Sequence, residues 1–232
     1  MSAHDSIELA AARPDFAAIA AWIPEGASVL DLGCGDGSLL RYLKEKRDVR
    51  GYGVEISDEN IVACIRNNVN VIQSDLESGL SGFESNAFDF VLLSQTLQAT
   101  RHTEALVQEM LRVGRVGIVS FPNFGYWKNR LNVLLGNMPV SRELPYQWYD
   151  TPNVHLCTLH DFENFCNDLH VDILDRRVMS GESEVKALPN LFGSTAVYRF
   201  QRGKQIRNHP LPHPSPLKGE GKTVPSPLVG EG

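Results

Sequence analysis

The feature that most constrains the fold is a short apolar segment that runs directly into three alternate glycines. Ser28–Leu32 (SVLDL) predicts a buried strand, and Gly33, Gly35 and Gly37 follow it before an amphipathic helix predicted over 38–46. Glycines at such a turn let a ligand touch the backbone, because they carry no Cβ atom. The unpaired N–H groups at the start of the next helix favour an anionic group. The segment therefore predicts a ligand-binding turn.

The remainder of the body alternates short apolar runs with amphipathic stretches. Further strands are predicted over 51–54, 69–73, 88–93, 116–121, 171–178 and 195–201, and further helices over 58–67, 104–113 and 159–169. Asp58 is expected to cap the second helix, and Thr158 with Asp161 to begin the last one. Strands this apolar suit a parallel sheet covered on both faces. We therefore expect an α/β, doubly wound, mostly parallel sheet of seven strands, with an antiparallel C-terminal strand.

The last part of the chain differs in composition from the body. Residues 202–232 are rich in Pro, Gly and charge, and PSPLKGEG at 214–221 returns as PSPLVGEG at 225–232. Two imperfect repeats of this composition cannot form a core. We predict one folded domain over 1–201 and a disordered, low-complexity tail over 202–232.

Charge and composition exclude several classes of protein. The net charge is −6, and the residues from Gln201 onward hold five basic and two acidic side chains, so residues 1–200 carry −9. An acidic body argues against broad binding to nucleic acid. The start of the chain has no basic and apolar leader, and no apolar run approaches the length of a membrane span. Four scattered cysteines show no zinc spacing, so we expect reduced thiols, no metal and a cytoplasmic location.

The spacing of the glycines distinguishes between nucleotide ligands. A dinucleotide fingerprint would need Gly or Ala at position 38, but this position is Ser38. Of the three functions considered in this section, an NAD-binding module is therefore the least supported. Glu55 ends the second predicted strand, 22 residues after Gly33, within the range at which an acidic residue meets ribose hydroxyls. The GxGxG form resembles the turn of S-adenosylmethionine-dependent methyltransferases of the Rossmann-like class.

Longer stretches resemble one family within that class, the methionine-biosynthesis proteins called MetW. The resemblance covers roughly residues 10–200. It is carried by RPD at 13–15, VLDLGCGDG at 29–37, LSQTLQ at 93–98 and SFPNFGYWKNR at 120–130. It is also carried by a longer run that begins with MPVSRELPYQWYDTPN at 138–153 and continues to residue 166. The co-occurrence of the last two is far more specific than the glycine motif.

The resemblance implies a set of residues that bind S-adenosylmethionine or S-adenosylhomocysteine. Asp31 would orient the turn or meet the ammonium of the methionine moiety, and Asp75 would accept from the adenine amino group. The remaining members of the set are Gly33, Cys34, Gly35, Gly37, Glu55, Ile56, Leu76 and Ser94.

The resemblance also implies a function at the homoserine acylation step, as a subunit that acts with or activates a homoserine O-acyltransferase. The alternative is a methyltransferase acting on a small molecule. Only His155 and Asn123 are candidates for a catalytic role. Residues 121–157 hold seven of the 19 aromatic residues together with Lys128, Arg130 and Arg142. We predict that this insertion is a substrate lid or a protein interface.

Overall fold

The computed structural model describes residues 13–203, which form one eight-stranded sheet with helices on both faces. The strands are β1 Ser28–Leu32, β2 Arg50–Glu55, β3 Asn70–Gln73, β4 Phe88–Ser94, β5 Gly114–Pro122, β6 Val171–Ser180, β7 Ser183–Glu184 and β8 Thr195–Arg202. The helices are α1 Pro14–Trp22, α2 Ser38–Arg47, α3 Asp58–Arg66, α4 Thr103–Val113, α5 Trp127–Leu134, α6 Leu159–Asp168 and α7 Pro189–Phe192. Single 3₁₀ turns occur at Leu76–Ser78 and Leu97–Ala99.

The strand order is β3-β2-β1-β4-β5-β8-β6-β7. Strands β1 to β5 are parallel, β8 is antiparallel to β5 and to β6, and β7 is antiparallel to β6. The order reverses between β1 and β4, which creates a crevice at the carboxyl ends of these two strands. The predicted α/β, mostly parallel, doubly wound sheet with antiparallel C-terminal pairing is confirmed.

An eighth strand was not predicted. β7 is only two residues long, both exposed, and it returns along β6 through a tight turn at Gly181. A segment this short has no apolar alternation, so the sequence pattern does not mark it.

Two hydrophobic cores lie on opposite faces of the sheet, as alternation along the strands requires. Val29 of β1 and Leu92 of β4 pack with α1 and α2 in one core. Leu30 and Leu93, their neighbours in sequence, pack with α4 and α6 in the other core. The sheet is thus covered on both faces, which explains why its central strands are almost wholly apolar.

Two local expectations differ in outcome. Ser57, and not Asp58, caps α3, because the Ser57 hydroxyl accepts from the Asn60 N–H; the prediction for Asp58 was wrong. The predicted start of α6 is confirmed as a capping box, in which Thr158 and Asp161 each accept from the other's backbone N–H.

The folded part extends slightly beyond the predicted boundary, because β8 continues to Arg202. The remainder of the predicted disordered tail lies outside the described residues. Within the part of the chain that the structure describes, no helix has the length and apolar character needed to cross a membrane.

Candidate functional site

The carboxyl ends of the five parallel strands meet at one edge of the sheet. The register pairs Leu32 with Val54, Glu55 with Gln73, and Ser94 with Ser120. The loops after β1, β2, β3 and β4 therefore lie side by side, and these loops carry the residues that the sequence predicted to bind a cofactor.

The glycine turn after β1 is built around left-handed backbone. Gly33 has φ +65°, its N–H donates to the Val54 carbonyl over 2.8 Å, and a Cβ atom there would lie 2.7 Å from Thr96 Cγ2. Gly35 has φ +56°, and a Cβ atom there would meet nothing within 4 Å. Gly33 thus closes the turn against its neighbours, whereas Gly35 borders open space in which a ligand can approach the backbone. Gly37 is the N-cap of α2.

Glu55 holds the glycine turn from the end of β2. Its buried carboxylate accepts from the backbone N–H groups of Gly35, Ile56 and Ser57, each over 2.9 Å. A carboxylate offers about four acceptor positions. One position on Oε2 therefore remains for a further donor, and the predicted contact between Glu55 and ribose hydroxyls stays a prediction.

Asp31 lies in β1 beneath the turn and is almost completely buried, with a relative exposure of 1%. Its Oδ1 atom has no hydrogen-bond partner among the described residues. Burial raises the pKa of Asp31 to about 8; the Arg13 guanidinium lowers this pKa, and the Glu55 carboxylate raises it further. A buried polar atom without a partner is destabilising, so this oxygen is a candidate acceptor for a donor from outside residues 13–203.

The predicted residues after β2 and β3 lie on the rim of the site. Ile56 exposes an apolar side chain beside Glu55, and Leu76 is half-buried in the turn that follows β3. Asp75 is exposed, and its carboxylate caps this turn by accepting from the Glu77 N–H over 2.9 Å. These positions border the same edge of the sheet from the β2 and β3 side.

Ser94, at the end of β4, belongs to a polar network that sequence reasoning missed. The Ser94 hydroxyl donates to Asp15 Oδ2 over 3.3 Å and lies 3.1 Å from the Ser120 hydroxyl. Arg13 Nη2 pairs with Asp15 Oδ2 at 2.6 Å and lies 3.5 Å from Ser94 Oγ. Gln95, the next residue, has φ +56°, a conformation uncommon for a side chain of this kind. The sequence signals for this network were the RPD motif at 13–15, which carried only the family resemblance, and the acidic Asp15 in the otherwise apolar α1.

The two catalytic candidates occupy different environments. Asn123 is completely buried, its amide donates to the carbonyls of Asn190 and Gly193, and its oxygen accepts from the Gly125 N–H. His155 is exposed, with Nε2 3.5 Å from the Arg101 carbonyl. Asn123 therefore organises the loop after β5, and neither side chain is brought next to the glycine turn by the contacts it makes.

Cys34 and Cys64 support the turn from below. Their sulfur atoms lie 3.7 Å apart, and the Cys64 thiol donates to the Gly35 carbonyl over 3.1 Å. The hydrogen bond with Cys64, together with burial, raises the pKa of Cys34 well above its usual range. Cys34 therefore packs as a neutral thiol. Among residues 13–203, no group of three or more His, Cys, Asp or Glu side chains could hold a metal ion.

The insertion over 121–157 presents an apolar surface to solvent. Helix α5 carries an apolar stripe of Trp127, Leu131 and Leu134 that faces outward, with Leu134 exposed to 82%. The large apolar residues exposed in this segment are Trp127, Leu131, Val133, Leu134, Leu135, Met138, Val140, Tyr146, Trp148, Tyr149, Val154 and Leu156.

Comparison with known proteins places this chain in a family. The family model described as "Methionine biosynthesis protein MetW" matches residues 13–200. The chain belongs to the MetW family. The match spans the whole folded body, from the beginning of α1 to the last strand of the sheet.

A relative agrees with this assignment, and two solved structures share the fold. The bifunctional methionine biosynthesis protein MetXA/MetW of Rhodopirellula baltica is 38% identical over 195 residues, which cover 78% of this chain and 31% of that protein. The chain thus spans about a third of the relative's length. Magnesium protoporphyrin IX methyltransferase from Synechocystis PCC 6803, with bound SAH, has a TM-score of 0.59 and 20% identity over 86% of each chain. An S-adenosylmethionine-dependent methyltransferase from Mesorhizobium loti has a TM-score of 0.63 and 16% identity, over 83% of this chain and 100% of that one.

Proposed function

We propose that this MetW-family protein binds S-adenosylmethionine or S-adenosylhomocysteine and acts in the cytoplasm as an accessory subunit of a homoserine O-acyltransferase. The observation that carries the ligand is the unpartnered, buried Asp31 oxygen beside the open backbone at Gly35. The association is supported by the fused relative, whose name joins MetXA to MetW in one polypeptide. The resemblance described above links MetW-like proteins to such an acyltransferase.

The residues at the site fit a sulfonium nucleoside with an amino-acid end. Glu55 retains one acceptor position for a ribose hydroxyl, Asp31 lacks a donor that an ammonium would supply, and Gly35 leaves room for the ligand. Asp75 and Leu76 border the position expected for adenine. Bound S-adenosylmethionine would supply an activated methyl group. The chain's own residues bind and orient it.

The exposed apolar segment supports the partner role. Trp148 and Tyr149 are exposed to 72% and 71%, and aromatic side chains of this kind dominate the binding energy of protein interfaces. Lys128 and Arg142 lie in the same insertion and give it local positive charge in an acidic protein. We therefore propose that the insertion over 121–157 contacts the acyltransferase, which buries this surface.

The partnership is tested by mixing the purified chain with the homoserine O-acyltransferase of the same organism. We expect a stable complex, and a change in the acylation rate that depends on S-adenosylmethionine, as differential affinity for two states requires. The double variant W148S/Y149S should weaken the complex at least about tenfold. Ile65→Ser removes a similarly exposed apolar side chain from α3 and should leave the complex intact. Absence of a complex, with unchanged acylation, would refute the partnership.

A methyltransferase acting on a small molecule is the second candidate, favoured by the shared fold and by the open space at Gly35. Methyl transfer from a sulfonium depends mainly on alignment, so the positions of His155 and Asn123 do not argue against it. Formation of S-adenosylhomocysteine from S-adenosylmethionine, measured with a panel of acceptors, tests this candidate. Turnover that Gly35→Val abolishes in a folded protein would favour it over the accessory role.

A further inference from the structure

Two of the four cysteines lie together beneath the glycine turn. Cys34 belongs to the turn itself, and Cys64 belongs to α3, 30 positions later in the chain. Both residues are buried free thiols, and their sulfur atoms lie 3.7 Å apart. The other two cysteines, Cys157 and Cys166, pack in the core on the opposite face of the sheet. Neither of these is therefore within reach of Cys34 or Cys64.

Two glycines provide the space that the sulfur atoms occupy. A Cβ atom at Gly53, in β2, would collide with Cys34 Sγ, and a Cβ atom at Gly37 would lie 3.0 Å from Cys64 Sγ. Each sulfur atom thus fills room that exists because the neighbouring residue has no side chain. The packing holds the two sulfur atoms next to each other, so that a small movement is enough to bring them to the bonding distance of about 2 Å.

The Cys64 thiol contacts the backbone that borders the proposed ligand space. It donates to the Gly35 carbonyl over 3.1 Å, while Glu55 accepts from the Gly35 N–H over 2.9 Å. The thiol and the carboxylate therefore hold Gly35 together. A disulfide has no S–H group, so oxidation of Cys64 would remove the hydrogen bond to the Gly35 carbonyl and leave Glu55 as the remaining one of these two partners.

We propose that Cys34 and Cys64 are the site of a reversible disulfide, formed by a peroxide, which releases the Gly35 carbonyl and lowers the affinity of the glycine turn for its ligand. The effect on ligand affinity rests on the proposed function, whereas the disulfide itself does not. The dithiol is the resting form, because a reducing compartment such as the cytoplasm keeps thiols reduced and its disulfides are mostly transient.

One peroxide molecule is consumed for each disulfide. Cys34 keeps a relative exposure of 8% beside the open space at Gly35, so a small peroxide reaches the pair from the ligand side. The hydrogen bond with Cys34 lowers the pKa of Cys64, which favours the Cys64 thiolate as the attacking group. This sulfur attacks one peroxide oxygen, the O–O bond breaks, and a sulfenic acid forms while the second oxygen leaves as water with the proton of the thiol.

The disulfide bond forms in the second step. The Cys34 sulfur attacks the sulfenic sulfur, the S–O bond breaks, and the hydroxide leaves as a second water molecule with the proton of the Cys34 thiol. In total, two electrons pass from the two sulfur atoms to the peroxide. A thiol reductant returns them by thiol–disulfide exchange.

Peptide mapping of the full chain after treatment with hydrogen peroxide tests the site. Free thiols are blocked with iodoacetamide in denaturant before digestion. Trypsin cleaves after Arg41 and Arg50, so a disulfide between Cys34 and Cys64 joins two peptides that otherwise separate. We expect this linked pair of peptides, and we expect dithiothreitol to abolish it. If both thiols stay reduced in excess peroxide, or form disulfides with other cysteines instead, the proposal is wrong.

Titration calorimetry with S-adenosylhomocysteine measures the effect on the glycine turn. We expect the reduced protein to bind about tenfold more tightly than the disulfide-linked protein, as the loss of one hydrogen bond at the site implies, and dithiothreitol to restore the affinity. Coupling between two equilibria is reciprocal. Saturating S-adenosylhomocysteine should therefore favour the dithiol by the same factor in glutathione buffers.

Two variants serve as controls, and the outcomes separate the disulfide from the ligand. The hydroxyl of Cys64→Ser can still donate to the Gly35 carbonyl but cannot form a disulfide, so peroxide should leave the affinity of this variant unchanged. Cys157→Ser, on the other face of the sheet, should respond to peroxide as the unmodified protein does. Equal affinity of the reduced and the disulfide-linked protein would overturn the effect on the turn. If the reduced protein does not bind S-adenosylhomocysteine, the proposed ligand and this effect are wrong, while the peptide map alone decides the disulfide.

Discussion

The buried carboxyl group of Asp31 makes the pH dependence of stability a direct test of the site. Burial raises the pKa of Asp31 from 3.8 to about 8, with Arg13 lowering it and Glu55 raising it. The Cys34 thiol is a further titratable group close enough to interact with Asp31. Asp31→Asn keeps the shape of the side chain but carries no titratable proton. We predict that the free energy of unfolding of the unmodified protein falls as pH rises, and that Asp31→Asn does not show the part of this fall that is due to Asp31.

The sign and size of the effect follow from the two pKa values. Between about pH 4 and pH 8 the unfolded chain has an ionised Asp31, whereas the folded chain keeps the proton. Stability therefore falls as pH rises through this window, by about 1.4 kcal/mol for each pH unit. Over the whole window the loss is roughly 5 kcal/mol. Asn has no such loss, so the stability of Asp31→Asn relative to the unmodified protein should increase from pH 4 to pH 8.

Urea unfolding followed by far-ultraviolet circular dichroism at pH 5, 6, 7 and 8 measures this difference. Groups that titrate alike in the two proteins cancel when their free energies of unfolding are subtracted. Asp168→Asn, at an exposed position at the end of α6, is the matched control. If the difference for Asp31→Asn is the same at all four pH values, the carboxyl group is ionised in the folded protein and the reasoning is wrong.

Three further predictions concern the glycine turn, the loop after β5 and the cap of α6, and all are measured by urea unfolding. Gly33→Ala should lower the free energy of unfolding by about 2 to 3 kcal/mol, because the added methyl group meets Thr96 and the backbone is left-handed. Gly35→Ala should lower it by only about 1 to 2 kcal/mol, because its methyl group would lie in open space and only the backbone strain remains. Asn123→Ala should lower the free energy of unfolding by about 3 kcal/mol, since three backbone groups, two of them buried, lose their partner. Thr158→Ala should lower the free energy of unfolding by about 1 kcal/mol, and Thr158→Ser should lower it much less, because the serine hydroxyl can still cap α6.

The sequence predicted the parallel sheet well because its central strands, β1, β4 and β5, are largely buried and therefore form short apolar runs. Ser28–Leu32 was predicted with the bounds that the structure gives, and the neighbouring α2 differs by one residue at its end. Helix α1 was missed because Pro14–Trp22 is apolar on nearly every side, so it has no helical periodicity to detect. Its burial between the sheet and α2 is a tertiary property.

The site could be predicted only in part, for a related reason. Sequence spacing placed Asp31, Glu55 and the glycines at one edge of the sheet, since each follows or ends a recognisable parallel strand. Arg13 directly precedes the missed helix and Asp15 lies in its first turn, and their contacts with Ser94 join positions about 80 residues apart. No local pattern reports such a contact.

Asp31 in β1 and Glu55 at the end of β2 differ in their hydrogen bonding, which their sequence positions do not reveal. Glu55 already accepts three backbone N–H groups, so most of its hydrogen-bonding capacity stabilises the turn whether or not a ligand is bound. Asp31 is buried, and its Oδ1 atom has no hydrogen-bond partner within residues 13–203, so under the proposed function a donor on the ligand would complete it. Substitution of Glu55 therefore alters the shape of the turn and the ligand affinity together. Under the proposed function, substitution of Asp31 should weaken ligand binding and leave the shape of the turn unchanged, because no backbone group of the turn is among the hydrogen-bond partners of Asp31 in the described residues.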